Sequence, residues 1–299
     1  MTKIIECIPN FSEGRREDII EGLVTTAKAV PGVTLLDYSA DASHNRSVFT
    51  LVGDAEGIKK AAIDLAKYAA EHINLTEHEG EHPRMGAVDV IPFVPIKGVT
   101  MEDCVEISKE TAEAITKATN IPTFLYEESA TSEKRRNLAA IRKGQFEGMA
   151  KKMQQNAWKP DFGPDAPHPT AGVTAVGARM PLIAFNVNLS TSDINIANNI
   201  AKIIRGSSGG LKYCKAIGIM LEDKNIAQVS MNMVNYEGTP LYRAVELIKA
   251  EARRYGVTVT GTELIGLAPM KSLIDSAEYY LQLEGFDFGK QVLENHILG

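Results

Sequence analysis

The chain has only three cysteines in 299 residues, Cys7, Cys104 and Cys214. They are odd in number and far apart, which excludes a disulfide framework and any C-x-x-C metal site. They read instead as buried, reduced thiols of a cytoplasmic protein. No apolar run approaches the roughly eighteen residues that a membrane span needs. The opening Met1-Thr2-Lys3-Ile4-Ile5-Glu6 lacks the basic and apolar regions of a secretory signal. A soluble protein with no membrane partner is expected. Positive charge is also short: the formal net charge is −6, which argues against a nucleic-acid partner. A small anionic substrate is still admissible, because a local cleft of Arg and Lys outweighs the global sum. Arg46, Arg84 and Arg179 sit among small and polar neighbours, where their side chains can converge on carboxylates.

What is present is a repeated pattern. A chain of this length suits two domains, expected at 1–180 and 181–299. In the first half, strands are expected at 4–8, 33–38, 47–52 and 88–94, with helices at 16–30 and from an Asp54 cap through Ile73. The stripe Ile58, Ala62, Leu65 and Ala69 marks the buried face of the second helix. A further helix starts at the Thr100-x-x-Asp103 capping box and precedes a strand at 122–126. The second half gives strands at 182–189, 216–221, 226–233 and 257–261. One helix between them carries Ile196, Ile200, Ile203 and Ile204; the other opens with Thr239 as cap and Pro240 at its first position. Both halves read β-α-β-β-α-β. The fold class is therefore α+β, with two tandem ferredoxin-like α/β-sandwich subdomains. Asn186, Asn188 and Ser190 share one strand face, as do Gln228, Ser230 and Asn232, so the sheet of the second half is polar on its uncovered side.

Between the halves, residues 160–172 hold four prolines and two glycines in thirteen positions. This is an extended, semi-rigid connector, and ordered loops of this length often carry function. Gly206-Ser207-Ser208-Gly209-Gly210 precedes a strand rather than a helix, so it reads as a mobile turn and not a phosphate loop.

The densest chemistry lies in His78-Glu79-Gly80-Glu81-His82-Pro83-Arg84-Met85-Gly86, which holds two of only six histidines. It spells H-E-x-x-H, the zinc-hydrolase pattern that needs both histidines on one helical face. Gly80 within the motif and Pro83 after it oppose that helix. The other reading is acid–base: a histidine on a Pro-braced loop, between Glu81 and Arg84, titrating near neutrality. Composition alone does not separate this from an idle surface histidine.

Resemblance does. Glu81 to Gly86, running into Ala87-Val88-Asp89-Val90-Ile91-Pro92-Phe93, resembles the signature of the glutamate formiminotransferase (formimidoyltransferase) family. Similar blocks occur at Pro9-Asn10-Phe11-Ser12-Glu13-Gly14-Arg15 and Asn45-Arg46-Ser47-Val48. They recur at Trp158 to Pro164, at Gly177-Ala178-Arg179 leading into Ala184-Phe185-Asn186, and at Leu221 to Ser230. They span nearly the whole chain in order.

The resemblance implies transfer of the formimino group of N-formimino-L-glutamate to N5 of tetrahydrofolate, the co-substrate, without a metal. His82 is implied as the catalytic acid/base. Folate contacts are implied at Gly163, Pro164, Asp165, Ala166, Pro167, His168, Pro169, Thr170, Ala171 and Gly172. Some relatives carry aromatic residues where Ala166, Pro167 and Thr170 stand, so the resemblance implies the location of the folate segment and not its pterin-stacking partner. Substrate-binding candidates are Asn10, Asp41, Asn45, Arg46 and Arg84, the arginines because a guanidinium fork matches a carboxylate. Relatives also imply a homodimer, the single-activity form without a cyclodeaminase segment, and a place in histidine degradation. Formyl transfer between 5-formyltetrahydrofolate and glutamate, or a non-catalytic folate-binding module, are the alternative readings.

Overall fold

The computed structural model describes residues 3–297. Two compact units divide the chain between Arg179 and Met180. Pro9 has no N–H for a ladder and separates the first strand into β1 (Ile4–Cys7) and β2 (Asn10–Phe11). Both lie between β4 (Arg46–Gly53) and β5 (Val88–Lys97), antiparallel to each. β3 (Val33–Asp41) pairs antiparallel with the outer side of β4. With helices α1 (Glu17–Lys28) and α2 (Ala55–His72) between strands, this is the antiparallel ferredoxin-like order that the sequence pattern predicts. The sheet then grows beyond β5: β7 (Thr174–Ala178) pairs parallel with β5, and β6 (Thr123–Glu127) parallel with β7. Helix α3 (Met101–Thr119) makes the crossover from β5 to β6.

The helices start where the sequence provides acceptors for their free N–H groups. Glu13 Oε1 accepts from the backbone of Arg15 and Arg16, each at 2.9 Å, ahead of α1. Asp54 accepts from Gly57 N at 2.7 Å, and Thr100 with Asp103 forms the expected capping box. The three helices cover one sheet face around Phe11, Phe49, Leu51, Leu65, Ile91 and Phe93. On the opposite face, α4 (Glu133–Arg136), α5 (Leu138–Arg142) and α6 (Gln145–Met153) accompany a smaller core. There Ile141, Met149 and Met153 meet Val90, Phe124, Tyr126 and Ala175. That second layer covers the β5–β7–β6 end of the sheet and leaves the β1/β2–β4 part of the face outside the core.

The second unit is β8 (Ile183–Leu189), α7 (Ile194–Ile204), β9 (Cys214–Leu221), β10 (Ile226–Met233), α8 (Leu241–Arg253) and β11 (Val259–Ile265). Its strand order, β11-β8-β10-β9, is antiparallel throughout and repeats the arrangement of the first unit. Helix α9 (Met270–Leu281) follows and packs on α8. Among the described residues no helix is long and apolar enough to cross a membrane.

Several expectations need correction. Thr239 does not cap α8: Pro240 is itself the cap residue, with φ −63° and ψ 152°, and makes no side-chain capping bond. The last strand runs to Ile265, past the expected Gly261, because β8 pairs with Thr262–Ile265 across a register shift after Val259. Helices α4 to α6, strand β7 and helix α9 were not anticipated. The turn at 206–210 holds a 3-10 helix, Gly206–Ser208, tied by Gly210 N to Arg205 O at 3.1 Å.

Gly86 seats the segment that leads from His82 into β5. It bridges Gly172, its carbonyl accepts from Ser12 Oγ at 2.7 Å, and a Cβ there meets the backbone carbonyls of Val173 and Val88. Gly86→Ala is therefore expected to lower stability by about 1–3 kcal/mol, read as a lower urea midpoint; an unchanged midpoint would refute the packing argument.

Candidate active site

Residues 73–87, between α2 and β5, contain no helix, so His78 and His82 do not share a helical face. His78 donates Nε2–H to Asn45 O at 2.9 Å and accepts at Nδ1 from Arg84 Nε at 3.2 Å. Both ring nitrogens are thereby engaged within the protein. Among the described residues no group of three or more His, Cys, Asp or Glu side chains is arranged to hold a metal ion.

The loop is held by groups that sequence reading assigns to substrate. Arg84 is buried, and its five N–H donors all have protein acceptors: His78 Nδ1 and His78 O, Gln145 Oε1, and both oxygens of Glu147 at 2.6 and 2.9 Å. It clamps the loop to α6 and has no spare donor for a carboxylate. Asn45 takes the left-handed conformation, φ 48°, at the end of the β3–β4 turn, where Asn is tolerated. Its Oδ1 accepts from Gly14 N and its Nδ2 donates to Glu79 O, both at 2.9 Å. Asp41 accepts from His44 N at 2.8 Å and lies 3.0 Å from His44 Nδ1. It orients His44, whose ring centre is 6.3 Å from that of His82.

Behind His82 stands a buried ion triad. The register between β2 and β5 shifts across Asn10/Phe11, opposite Val90 and Val88, leaving Asp89 as the extra residue of a bulge. Bulges re-aim side chains in this way. Asp89 is fully buried and accepts from Met85 N at 2.9 Å. Its Oδ2 receives Arg46 Nη1 at 3.0 Å and Arg142 Nη2 at 2.6 Å. Arg46 also donates Nη2 to Asn10 Oδ1 at 2.7 Å. Burial pushes the Asp89 carboxyl up, but Arg142 and Arg46 outweigh it and hold it below the usual carboxylate range. His82 is shifted to about 4, first by burial and then by the charges of Arg46 and Arg142. It is therefore neutral at pH 7. Ser47 Oγ, His82 Nδ1 and Arg142 Nε are buried polar atoms with no protein partner, and such orphans call for a further partner, whether water or ligand.

Farther along the same face, burial raises the Tyr126 hydroxyl and the Glu6 carboxyl, and Arg179 partly offsets both. The connector does not behave as one unit. Gly163 to Ala166 are exposed, with φ +98° at Gly163, and Lys159 pairs with Asp165 at 2.5 Å. Its other end is buried and tied under the His82 loop. Leu75 N donates to Thr170 O at 2.8 Å, Ala87 N to Ala171 O at 2.9 Å, and Val173 N to Met85 O at 2.9 Å. His168 Nδ1 accepts from Ala171 N at 3.0 Å. In the second unit, Glu263 accepts from Asn188, Lys224 and Gln228 at 3.0–3.2 Å, but the same sheet face also exposes Ile217 and Ile265, so it is mixed where a polar face is expected.

The sequence models of the formiminotransferase domain match in both halves: its N-terminal subdomain over residues 4–179, and the formiminotransferase domain over residues 184–294. The chain belongs to the formiminotransferase family. It is 68% identical over its full length to a glutamate formimidoyltransferase of Streptococcus pyogenes serotype M1, covering 100% of both chains. It is 46% identical to a glutamate formimidoyltransferase of Thermoplasma acidophilum, over 96% of this chain and 95% of that one. A formimidoyltransferase-cyclodeaminase of Gallus gallus is 44% identical over 95% of this chain and 53% of its own length.

Of the substrate candidates in this formiminotransferase, the structure brings Asn10 and Arg46 together beside His82. Asn45 and Arg84 serve the loop, and Asp41 holds His44. Asp89 and Arg142, which the structure places with Arg46, are absent from the candidates that the sequence offers. A lone acid inside Val88-Asp89-Val90-Ile91 was the available signal for the first; Arg142 had none.

The lowered His82 value carries a stability consequence. Between pH 6.5 and about 4 the unfolded chain binds a proton at this histidine that the folded protein resists, so stability falls as pH drops through that window. His82→Gln should remove this component from the pH dependence of urea unfolding, and NMR of the wild-type ring should place its titration near 4. A ring titrating at the ordinary value would overturn the electrostatic picture.

Proposed function

We propose that this protein transfers the formimino group of N-formimino-L-glutamate to N5 of tetrahydrofolate and releases glutamate, with His82 as the acid/base. The observation that carries the reading is a histidine held neutral beside a buried arginine pair, on a loop pinned by saturated hydrogen bonds, in a member of this family. Its 68% identical relative of matching length is a glutamate formimidoyltransferase.

In this reaction the folate nitrogen adds to the amidine carbon and gives a tetrahedral intermediate. N5 must then lose a proton, and the departing glutamate nitrogen must gain one, because an amide-type anion is a poor leaving group. His82, neutral at rest, accepts the N5 proton and returns it to the leaving nitrogen as the C–N bond breaks. Proton balance closes on one side chain. A histidine shifted this far down is a weak base, but an anionic donor next to Arg46 and Arg142 offsets their charge and strengthens it. Base strength thus rises when the substrate is bound.

Folate is assigned to the 163–172 segment, whose exposed half, Gly163 to Ala166, is accessible to a ligand. The reading also carries a homodimer and a cytoplasmic location, the latter supported by three free, buried cysteines.

His82→Ala is expected to lower kcat by about 100- to 10,000-fold with small changes in both KM values. In the wild type, the acid limb of kcat should lie at higher pH than that of kcat/KM, since the former reports the substrate complex. Steady-state assay with formiminoglutamate and tetrahydrofolate, and in parallel with 5-formyltetrahydrofolate and glutamate, tests both points. A fully active His82→Ala variant would remove the role given to His82, and turnover of the formyl pair alone would change the group transferred.

A further inference from the structure

We infer that Arg142 binds a carboxylate of the amino-acid donor and so positions the glutamate half of the substrate beside His82. The inference rests on the transfer reaction proposed above and adds to it a residue with no signal in the sequence.

Donor capacity sets Arg84 apart from Arg46 and Arg142, and a buried, unpartnered donor then sets Arg142 apart from Arg46. Arg84 has given all five N–H groups to protein acceptors. Arg46 gives Nη1 to Asp89 and Nη2 to Asn10. Arg142 gives Nη2 to Asp89, while its Nε is buried and has no protein partner. A buried N–H left unpaired is costly, and a carboxylate oxygen is the acceptor that matches it best.

Charge points the same way. Two guanidinium groups, with side chains 12% and 13% exposed, face one carboxylate. The triad therefore keeps one positive charge in excess, in a site largely but not wholly shielded from water. A buried, uncompensated charge is unfavourable until an opposite charge joins it, and a dicarboxylate donor supplies one. Position completes the argument. Arg142 ends α5, at the border where the second helical layer stops, and its charge is near enough to act on His82. Its Asp89 contact fixes one end of the guanidinium in place, as a binding residue requires. The competing role is structural: an ion pair that only fastens α5 to β5.

The test separates these with donors lacking one carboxylate. N-formimino-alanine lacks the side-chain carboxylate and N-formimino-4-aminobutyrate lacks the α-carboxylate. In the wild type, removing the held carboxylate should lower kcat/KM by about 10- to 100-fold. In Arg142→Gln the KM for formiminoglutamate should rise by a similar factor, with the tetrahydrofolate KM within about twofold. In that variant the same truncation should then cost less than about threefold. Arg142→Lys, which keeps the charge and loses the fork, should fall between. A formiminoglutamate KM unchanged in Arg142→Gln, or both truncations costing as much as in the wild type, overturns the assignment. Should Arg142→Gln fail to fold, the wild type itself is titrated with glutamate and the Arg142 Nε–H resonance followed by NMR. A shift that saturates supports the contact; none at saturating glutamate removes it. Absence of formimino transfer by the wild type defeats the reaction reading instead, and the glutamate titration still decides Arg142 separately.

Discussion

The site depends on one buried carboxylate. Asp89 sits at a bulge in β5 with no exposure to solvent, where an isolated charge would be untenable. It stays ionised because Arg46 comes from β4, Arg142 from α5, and the Met85 N–H from the loop itself. Three parts of the chain far apart in sequence are thus fixed against one group. The same triad sets the electrostatics around His82, since its two cations exceed its one anion. Removing one partner of such a cluster leaves a charge stranded, a loss of about 3–5 kcal/mol in buried pairs. The triad is better read as a device for geometry and local field than as a source of net stability.

Its place in the fold follows from how the layers cover the sheet. Helices α1 to α3 bury one face with ordinary hydrophobic packing. On the other face the cover formed around Ile141, Met149 and Met153 ends near β5. Polar groups that would be expensive under either layer collect at that border, where burial is partial and a ligand can enter. Asn10, Arg46, His82 and Arg142 all belong to it. Rigidity comes from backbone fit and not from a regular element. Gly86 lets two carbonyl-bearing segments approach, Asn45 takes a left-handed turn, and Arg84 spends its whole guanidinium on the loop.

Much of this was legible in the sequence. The apolar stripes of α2 and α7, the Asp54 cap and the Thr100–Asp103 box gave local signals strong enough to determine both βαββαβ units. Pro83 and Gly80 were enough to deny a helix to His78 and His82. The family blocks then pointed to His82 as the reacting group.

Tertiary structure alone decided the partners. Arg46 and Arg84 look alike in sequence, each a basic residue among small or polar neighbours. One faces Asp89 and Asn10 beside His82, whereas the other is saturated by Glu147, Gln145 and His78. Arg142 lies in a short helix whose pattern gives no sign of a site, and it matters only because α5 packs on β6 and from there reaches Asp89 of β5. The physical reason is range. Periodicity and capping act over a few residues and are written in the local sequence, but hydrogen-bond saturation and burial depend on acceptors dozens of residues away, which exist as neighbours only once the chain has folded.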